Sequence, residues 1–338
     1  MSDITEVLRA YGIQTYTFTK ITTRLWKINS NKYQFALKRT QLNPQQIGQW
    51  KELYQIKTIR ELPVIPPVYR TKTGEIFYMK NEDMYYLSPW IESDVHTNAS
   101  NQQQILFATI GKLHATTKYA NAIESKVIEQ TIKTEKKNLK EMHAMLLYYI
   151  EYFEQKRYMP PFGLEVCTQY RDVEMIFKQL DGWYDNYLTD IKQEQTVYQS
   201  ICHGYLAPTH HISTPDQSFL INWEHAYFGD AMIDLRDYVY TRCFHHDSDV
   251  TQLVQDFSQY EKQNPLSNSE RSLLAIHLLN PSAYLQVISD FKNTKNQVLQ
   301  IKSLLEYYRR LLAGSIFQET LNNVRNQTIE KQEKNQTD

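Results

Sequence analysis

The sequence predicts an α+β protein in two lobes: a small β-rich N-terminal lobe over residues 1–92 and a large, mainly helical C-terminal lobe over 93–329, followed by a polar tail at 330–338. Three observations carry this expectation. The chain has 338 residues, more than one ordinary core holds, because domains usually run to about 100–200 residues. Its opening third mixes short β-patterned runs with two helical segments. Beyond residue 100, almost everything either has helical periodicity or is a brief β interruption.

Taken in order, Ser2 to Tyr11 reads as a short helix stopped by Gly12, and Gln14–Thr19, Leu25–Ile28 and Tyr33–Arg39 alternate or cluster β-forming residues. Asn43-Pro44 supplies an N-cap and an N1 proline for a helix expected to run to about Arg60, with Ile47, Trp50 and Tyr54 on one face. Pro63, Pro66 and Pro67 close that segment, and Glu75–Lys80 and Met84–Trp90 read as a strand pair. Helices are expected over 101–118, 123–156 and 165–195, then short strands at Tyr198–Cys202, His211–Ser213 and Phe219–Asn222, then helices to about 330. The tail, wholly polar, is expected to fray.

The charge balance, 37 basic against 38 acidic side chains, gives no global field to attract nucleic acid or an anionic membrane. Neither is expected as a partner. Cys167, Cys202 and Cys243 are odd in number and lack CxxC spacing, which argues against a disulfide framework and a thiolate zinc site. The N-terminus has no cationic patch followed by an apolar run, and no stretch approaches the roughly 18 apolar residues of a membrane span. A soluble chain made in a reducing cytosol is the expectation. Two biases stand out: 25 tyrosines, and only 9 glycines where average usage of about 7% would supply more than twice as many.

The informative stretch is Ile201-Cys-His-Gly-Tyr-Leu-Ala-Pro-Thr-His210, then Phe219-Leu-Ile-Asn-Trp-Glu224, then Phe228-Gly-Asp-Ala-Met-Ile-Asp-Leu-Arg-Asp237. These blocks resemble the aminoglycoside phosphotransferase and choline kinase family, whose catalytic loop reads H-G-D-x-x-x-x-N, whose metal motif reads I-D-W-E, and whose next segment reads G-D-x-x-x-D-L. Upstream, Phe35-Ala-Leu-Lys38 resembles the strand carrying the family's nucleotide-phosphate lysine. Glu52 is the best-placed carboxylate on the helix that should supply the lysine's partner. Tyr85–Ile91 resembles the segment linking the lobes, and Ile110-Gly-Lys-Leu-His114 the helix after it. The resemblance covers residues 14 to 240 and implies a bilobal protein-kinase-like fold, with Lys38 and Glu52 as a residual nucleotide site.

The departures fall on the chemistry. Phosphoryl transfer in such folds needs a carboxylate to accept or orient the hydroxyl proton, and magnesium held by anionic oxygen ligands. At the carboxylate position stands Tyr205, a phenol that ordinarily titrates near pH 10. The loop Asn position is His210 and the metal-ligand Asp position is Asn222. The turn Lys20–Ile28, where the family places a glycine-rich phosphate loop, has no glycine. His203, Gly204, Pro208, Gly229, Asp230 and Asp234, by contrast, stand at positions that shape and brace the loop whether or not catalysis persists. Scaffold kept and chemistry removed is the pattern of a pseudokinase, with no intact catalytic residue, no magnesium site, no required cofactor, and ATP binding at most residual.

Within the superfamily the chain is most similar to the CotS-related spore coat proteins of endospore-forming bacteria, by its length, Phe35–Lys38, Trp223–Ala226 and its tyrosine content. That resemblance implies synthesis in the mother-cell cytoplasm, deposition in the coat, and other coat proteins as partners. Two alternatives compete: an unconventional small-molecule kinase in which Glu224, Asp216 or Asp230 takes over the metal, and a module that binds nucleotide without turnover. The blander readings stand beside these. Lys38 and Glu52 are then solvated surface charges, Asp230 and Asp234 are structural carboxylates, and Tyr205 is a buried spacer filling the volume of absent phosphates. The histidines at 203, 210, 211, 225, 245 and 246 serve packing and loop hydrogen bonds rather than zinc, because none has HExxH or finger spacing.

Overall fold

The computed structural model describes residues 2–56, 62–92, 99–243, 248–292 and 296–337. In chain order the elements are α1 (Ser2–Ala10), β1 (Thr17–Lys20), β2 (Leu25–Ser30), β3 (Tyr33–Thr40), α2 (Pro44–Leu53), β4 (Tyr78–Lys80), β5 (Asp83–Pro89) and α3 (Ala99–Thr117). Next come β6 (Tyr119–Ala122), α4 (Ser125–Glu154), α5 (Pro161–Glu194), β7 (Thr196–Cys202), β8 (His211–Ser213), β9 (Ser218–Leu220) and β10 (Tyr227–Gly229). The chain finishes with α6 (Ala231–Arg242), α7 (Val250–Asp256), α8 (Ser258–Gln263), α9 (Asn268–Leu278), α10 (Ser282–Ser289) and α11 (Gln297–Thr337). The β-rich beginning and mainly helical remainder are as expected. Two compact units emerge, one of residues 1–117 with 201–229 and the other of 118–200 with 230–338. The composition boundary at residue 92 thus marks a change of element type, whereas the contacts divide the chain elsewhere.

In the first unit an antiparallel sheet of order β1-β2-β3-β5-β4 carries both cores, and the period of two along each strand decides which residue serves which face. Trp26, Ile28, Leu37, Tyr85 and Leu87 point one way, onto Val7 and Leu8 of α1. Met84 and Tyr86 point the other way, onto Trp50 of α2 and Ile76. Lys38 is the register partner of Tyr86, and Ala36 of Ser88, so both belong to the α2 face.

α2 begins as the sequence dictates. Asn43 accepts from the Gln46 amide, the Gln46 side chain accepts from the Asn43 amide, and Pro44 takes N1. It ends at Leu53, short of the expected Arg60; residues 57–61 lie outside the described residues.

In the second unit α5 is central, its buried residues Phe162, Val166, Val173, Phe177, Leu180, Trp183, Tyr184, Tyr187 and Ile191 recurring at three and four. The Trp183 indole donates to Gln318 Oε1 of α11 at 2.9 Å, and Arg325 of α11 forks onto Asp190 with Nη2–Oδ1 at 2.5 Å and Nε–Oδ2 at 2.9 Å. Ser272 of α9 donates to the other side of the same carboxylate at 2.6 Å. α11 continues through Thr337, over the stretch expected to fray. β6 pairs antiparallel with β7, Tyr119 opposite Gln199. β6 and β10 are additional to the expected strands, because both are short and polar or glycine-ended.

Candidate functional site

The site is built within the first unit from β3, β5 and the loops on either side of the β8–β9 hairpin. β3 presents Lys38 toward the segment after β9, where Nζ lies 2.5 Å from Glu224 Oε1 and donates to Asn222 Oδ1 at 2.5 Å. The Tyr86 hydroxyl donates to the same Glu224 oxygen at 2.8 Å. The Glu224 side chain is only 5% exposed. Burial alone would raise its pKa, but the Lys38 ammonium and the hydrogen bonds from Lys38 and Tyr86 prevail and hold it below the usual carboxylate value. The Tyr86 and Tyr54 phenols are pushed up by burial first and then by the Glu224 charge, so both stay protonated donors.

The expected partner of Lys38 is therefore corrected. Glu52 is exposed on α2, because Trp50 and Leu53 take the buried face of that helix. The lysine's carboxylate comes instead from Glu224, in the segment that follows β9. Asn222 makes this reach possible: its φ of 70° is left-handed, a conformation asparagine tolerates better than most residues, and it starts the short turn that brings Trp223 and Glu224 inward.

His203 is fully buried, with Nε2 2.7 Å from the Ile221 carbonyl oxygen and Nδ1 accepting from the Tyr205 amide. Gly204 turns the chain at a φ of 77°, hard against the carbonyl of His225. Tyr205 points outward and is 60% exposed, so it is not the buried spacer expected from its bulk. A side chain directly after a left-handed glycine turn, with the loop interior already held by His203, has no inward direction left. His210 bonds the Tyr205 carbonyl through Nδ1 at 2.9 Å. Burial first, then the neighbouring His203, push its pKa down to about 4, leaving it a neutral imidazole. His211 is likewise pushed down to about 4 by burial. His245 and His246 lie outside the described residues.

Asp230 and Asp234 belong to the second unit, at the start of α6. Asp230 caps α6, Oδ1 accepting from the Met232 amide at 2.8 Å, while Oδ2 lies 2.7 Å from His277 Nε2. Asp234 is fully buried in the first turn of α6. Asp216 is exposed in the β8–β9 turn. Magnesium does not fit this donor set. A hard dication wants anionic oxygens, yet the Glu224 carboxylate and the Asn222 amide oxygen both hold Lys38, and the remaining positions are an outward phenol and a neutral imidazole.

The glycine-free turn between β1 and β2 is closed on itself. The amides of Ile21 and Thr22 both donate to the Leu25 carbonyl, at 2.9 and 3.1 Å, and the Arg24 amide donates to Thr22 Oγ1 at 3.1 Å. A cavity of about 400 Å³ is lined by Leu25 and Ala36 of the sheet together with Ile212 and Ile221. Lys38, Asn222, Trp90 and Glu92 also line it, and Lys27 bonds Glu92 at 2.9 Å and lies 4.9 Å from the centre of the Trp90 ring.

Comparison with solved structures places the fold. An aminoglycoside phosphotransferase from Alicyclobacillus acidocaldarius superposes with a TM-score of 0.70 at 13% identity, over 95% of this chain and 96% of that one. A spectinomycin phosphotransferase in complex with ADP and spectinomycin gives 0.56 at 11% identity over 93% and 98% of the two chains. A microcompartment-associated aminopropanol kinase gives 0.54 at 10% identity over 95% and 98%. No family model and no curated protein matches the sequence. The chain has the protein-kinase-like fold that these phosphotransferases and kinases share.

Proposed function

We propose that this is a catalytically silent, kinase-fold protein of the aminoglycoside phosphotransferase and choline kinase superfamily, acting through protein contacts as an assembly component of the bacterial spore coat. The observation that supports silence is the Lys38–Glu224 pair at 2.5 Å. In a working phosphotransferase the lysine faces phosphate and the acidic motif faces metal; here each satisfies the other, and Asn222 joins them. A triphosphate would have to break a buried pair and leave Glu224 without its counter-charge, at a cost of several kcal/mol.

The coat assignment rests on the sequence resemblance. Tyr33, Tyr119, Tyr148, Tyr158 and Tyr205, all more than half exposed, suit aromatic protein contacts with other coat proteins. Synthesis in the mother-cell cytoplasm and deposition in the coat complete the proposal.

A small-molecule kinase is the second reading, favoured by a fold that follows a phosphotransferase over 95% of the chain. Titrating ATP with and without magnesium while following thermal stability and phosphate release separates the two. A silent protein gives no turnover and no magnesium-dependent shift; a kinase gives both, and a ligand at 100 times its Kd adds about 2.7 kcal/mol. A crosslinking pull-down from sporulating cells tests the partners, and recovery of no coat protein overturns the coat role.

A further inference from the structure

We infer that the sheet face carrying α1, at the end that holds the β1–β2 turn, docks a short acidic segment of a partner protein. The inference rests on the reading that the chain works through protein contacts, and deepens it by naming one surface and the chemistry of its partner. Strand register places the residues. Phe18 stands opposite Ile28 and Lys20 opposite Trp26, so both belong to the α1 face, on the other side of the sheet from Lys38. Arg39, opposite Tyr85, belongs to the same face. Arg24, one residue ahead of β2, stands opposite Arg39, whose amide donates to the Arg24 carbonyl at 2.8 Å.

Lys20, Arg24 and Arg39 thus make a row of cations across three neighbouring strands. Like charges directly opposite each other weaken a sheet, so the Arg24–Arg39 pairing does the fold no service. Arg39 reaches Asp83 at 3.5 Å and the Thr23 carbonyl at 3.3 Å, whereas Lys20 and Arg24, both exposed, pair with no carboxylate among the described residues. Beside the row, Phe18 is 40% exposed and Ile21, in the turn, 47%. Cations flanked by an aromatic and an aliphatic side chain suit carboxylates spaced by apolar residues. Over the whole chain 37 basic side chains meet 38 acidic ones, so a membrane or a nucleic acid, extended enough to sense the entire molecule, gains no net attraction. A short segment senses the row alone, because charges farther off than about 8 Å are screened at physiological salt.

The test is fluorescence anisotropy on the full chain with a labelled peptide, Glu-Glu-Phe-Glu-Glu-Leu-Glu-Glu, and with its counterpart in which every glutamate is glutamine. The acidic peptide is expected to saturate, to bind at least about tenfold more tightly than the glutamine one, and to weaken as salt rises. Lys20→Gln with Arg24→Gln is expected to cost at least about tenfold in affinity, and Phe18→Ser with Ile21→Ser at least about threefold. The two charge substitutions relieve the repulsion on Arg39, so the melting temperature is expected to hold or rise; a fall assigns these cations to the sheet and overturns the inference. Absence of saturation by the acidic peptide overturns it as well, and so does equal binding of the glutamine one. Co-sedimentation with vesicles of equal parts phosphatidylserine and phosphatidylcholine, lost on the same two charge substitutions, gives the surface to a membrane and overturns the acidic segment. None of these outcomes touches the silent reading, which phosphate release from ATP decides separately.

Discussion

Gly204 approaches the His225 carbonyl so closely that a Cβ built on it would lie 2.0 Å from the oxygen. The glycine is demanded twice, by this contact and by a φ of 77° that side chains rarely adopt. Gly204→Ala is expected to destabilise the protein by at least about 2 kcal/mol, of which the left-handed backbone accounts for about 1–3. The check is the melting temperature, expected to fall by at least about 4 °C.

The Lys38–Glu224 pair predicts an asymmetric mutational cycle. Lys38→Met strands a buried carboxylate that keeps the Tyr86 hydroxyl and a backbone hydrogen bond but no counter-charge from the lysine, and is expected to cost about 3–5 kcal/mol, somewhat less if water reaches Glu224 through the vacated space. Lys38→Met with Glu224→Gln removes both charges, and most of that loss should return. Urea denaturation of the two single variants and the double variant measures the coupling.

Acid should weaken the fold in two stages. His210 and His211 titrate near 4 in the folded chain against 6.5 ordinarily. Between those values the unfolded chain binds protons that the folded one refuses, so stability rises with pH across that window and levels off above it. Glu224, held below its usual value, adds stability that is present above the unfolded pKa of 4.5 and is lost as pH falls through the lower folded one. Melting temperature followed from pH 7.5 to 4.5 is expected to fall, with a shallower slope in His211→Gln.

Tyr205→Ala is expected to shift stability by no more than about 0.5 kcal/mol, because the side chain is 60% exposed. A loss above 2 kcal/mol in urea denaturation would mean that the phenol is buried after all.

In the second unit, Arg325→Met leaves Asp190, which is 1% exposed, with Ser272 as its hydrogen-bond donor among the described residues. A cost of about 3–5 kcal/mol is expected in denaturant unfolding. Arg325→Lys keeps the charge but not the two-pronged geometry, and should recover part of it.

Much of this was legible in the residues. The Asn43–Pro44 helix start and the strand through Phe35–Lys38 each follow from local rules that tertiary contacts did not override. Strand and helix ends moved by a few residues, as Pro160-Pro161 starting α5 ahead of the expected 165 shows. What local rules could not supply was direction across the site. Glu52 and Glu224 both carry a carboxylate to offer Lys38, and only the burial of Trp50 and Leu53 turns one of them outward. Likewise, the bulk of Tyr205 said nothing of where a left-handed turn would aim it. A signal for Glu224 was present in the Trp-Glu pair after an asparagine, since asparagine alone brings no charge to hold the lysine.

The self-closed turn between β1 and β2 bears on how such a chain changes over generations. Placing aspartates at 205 and 222 would add carboxylates, yet the amides at 21, 22 and 24 would still be spoken for by Leu25 and Thr22. Freeing those amides for a phosphate means replacing the hairpin tip as a block, because each is held by a neighbour only two to four residues away in the same turn.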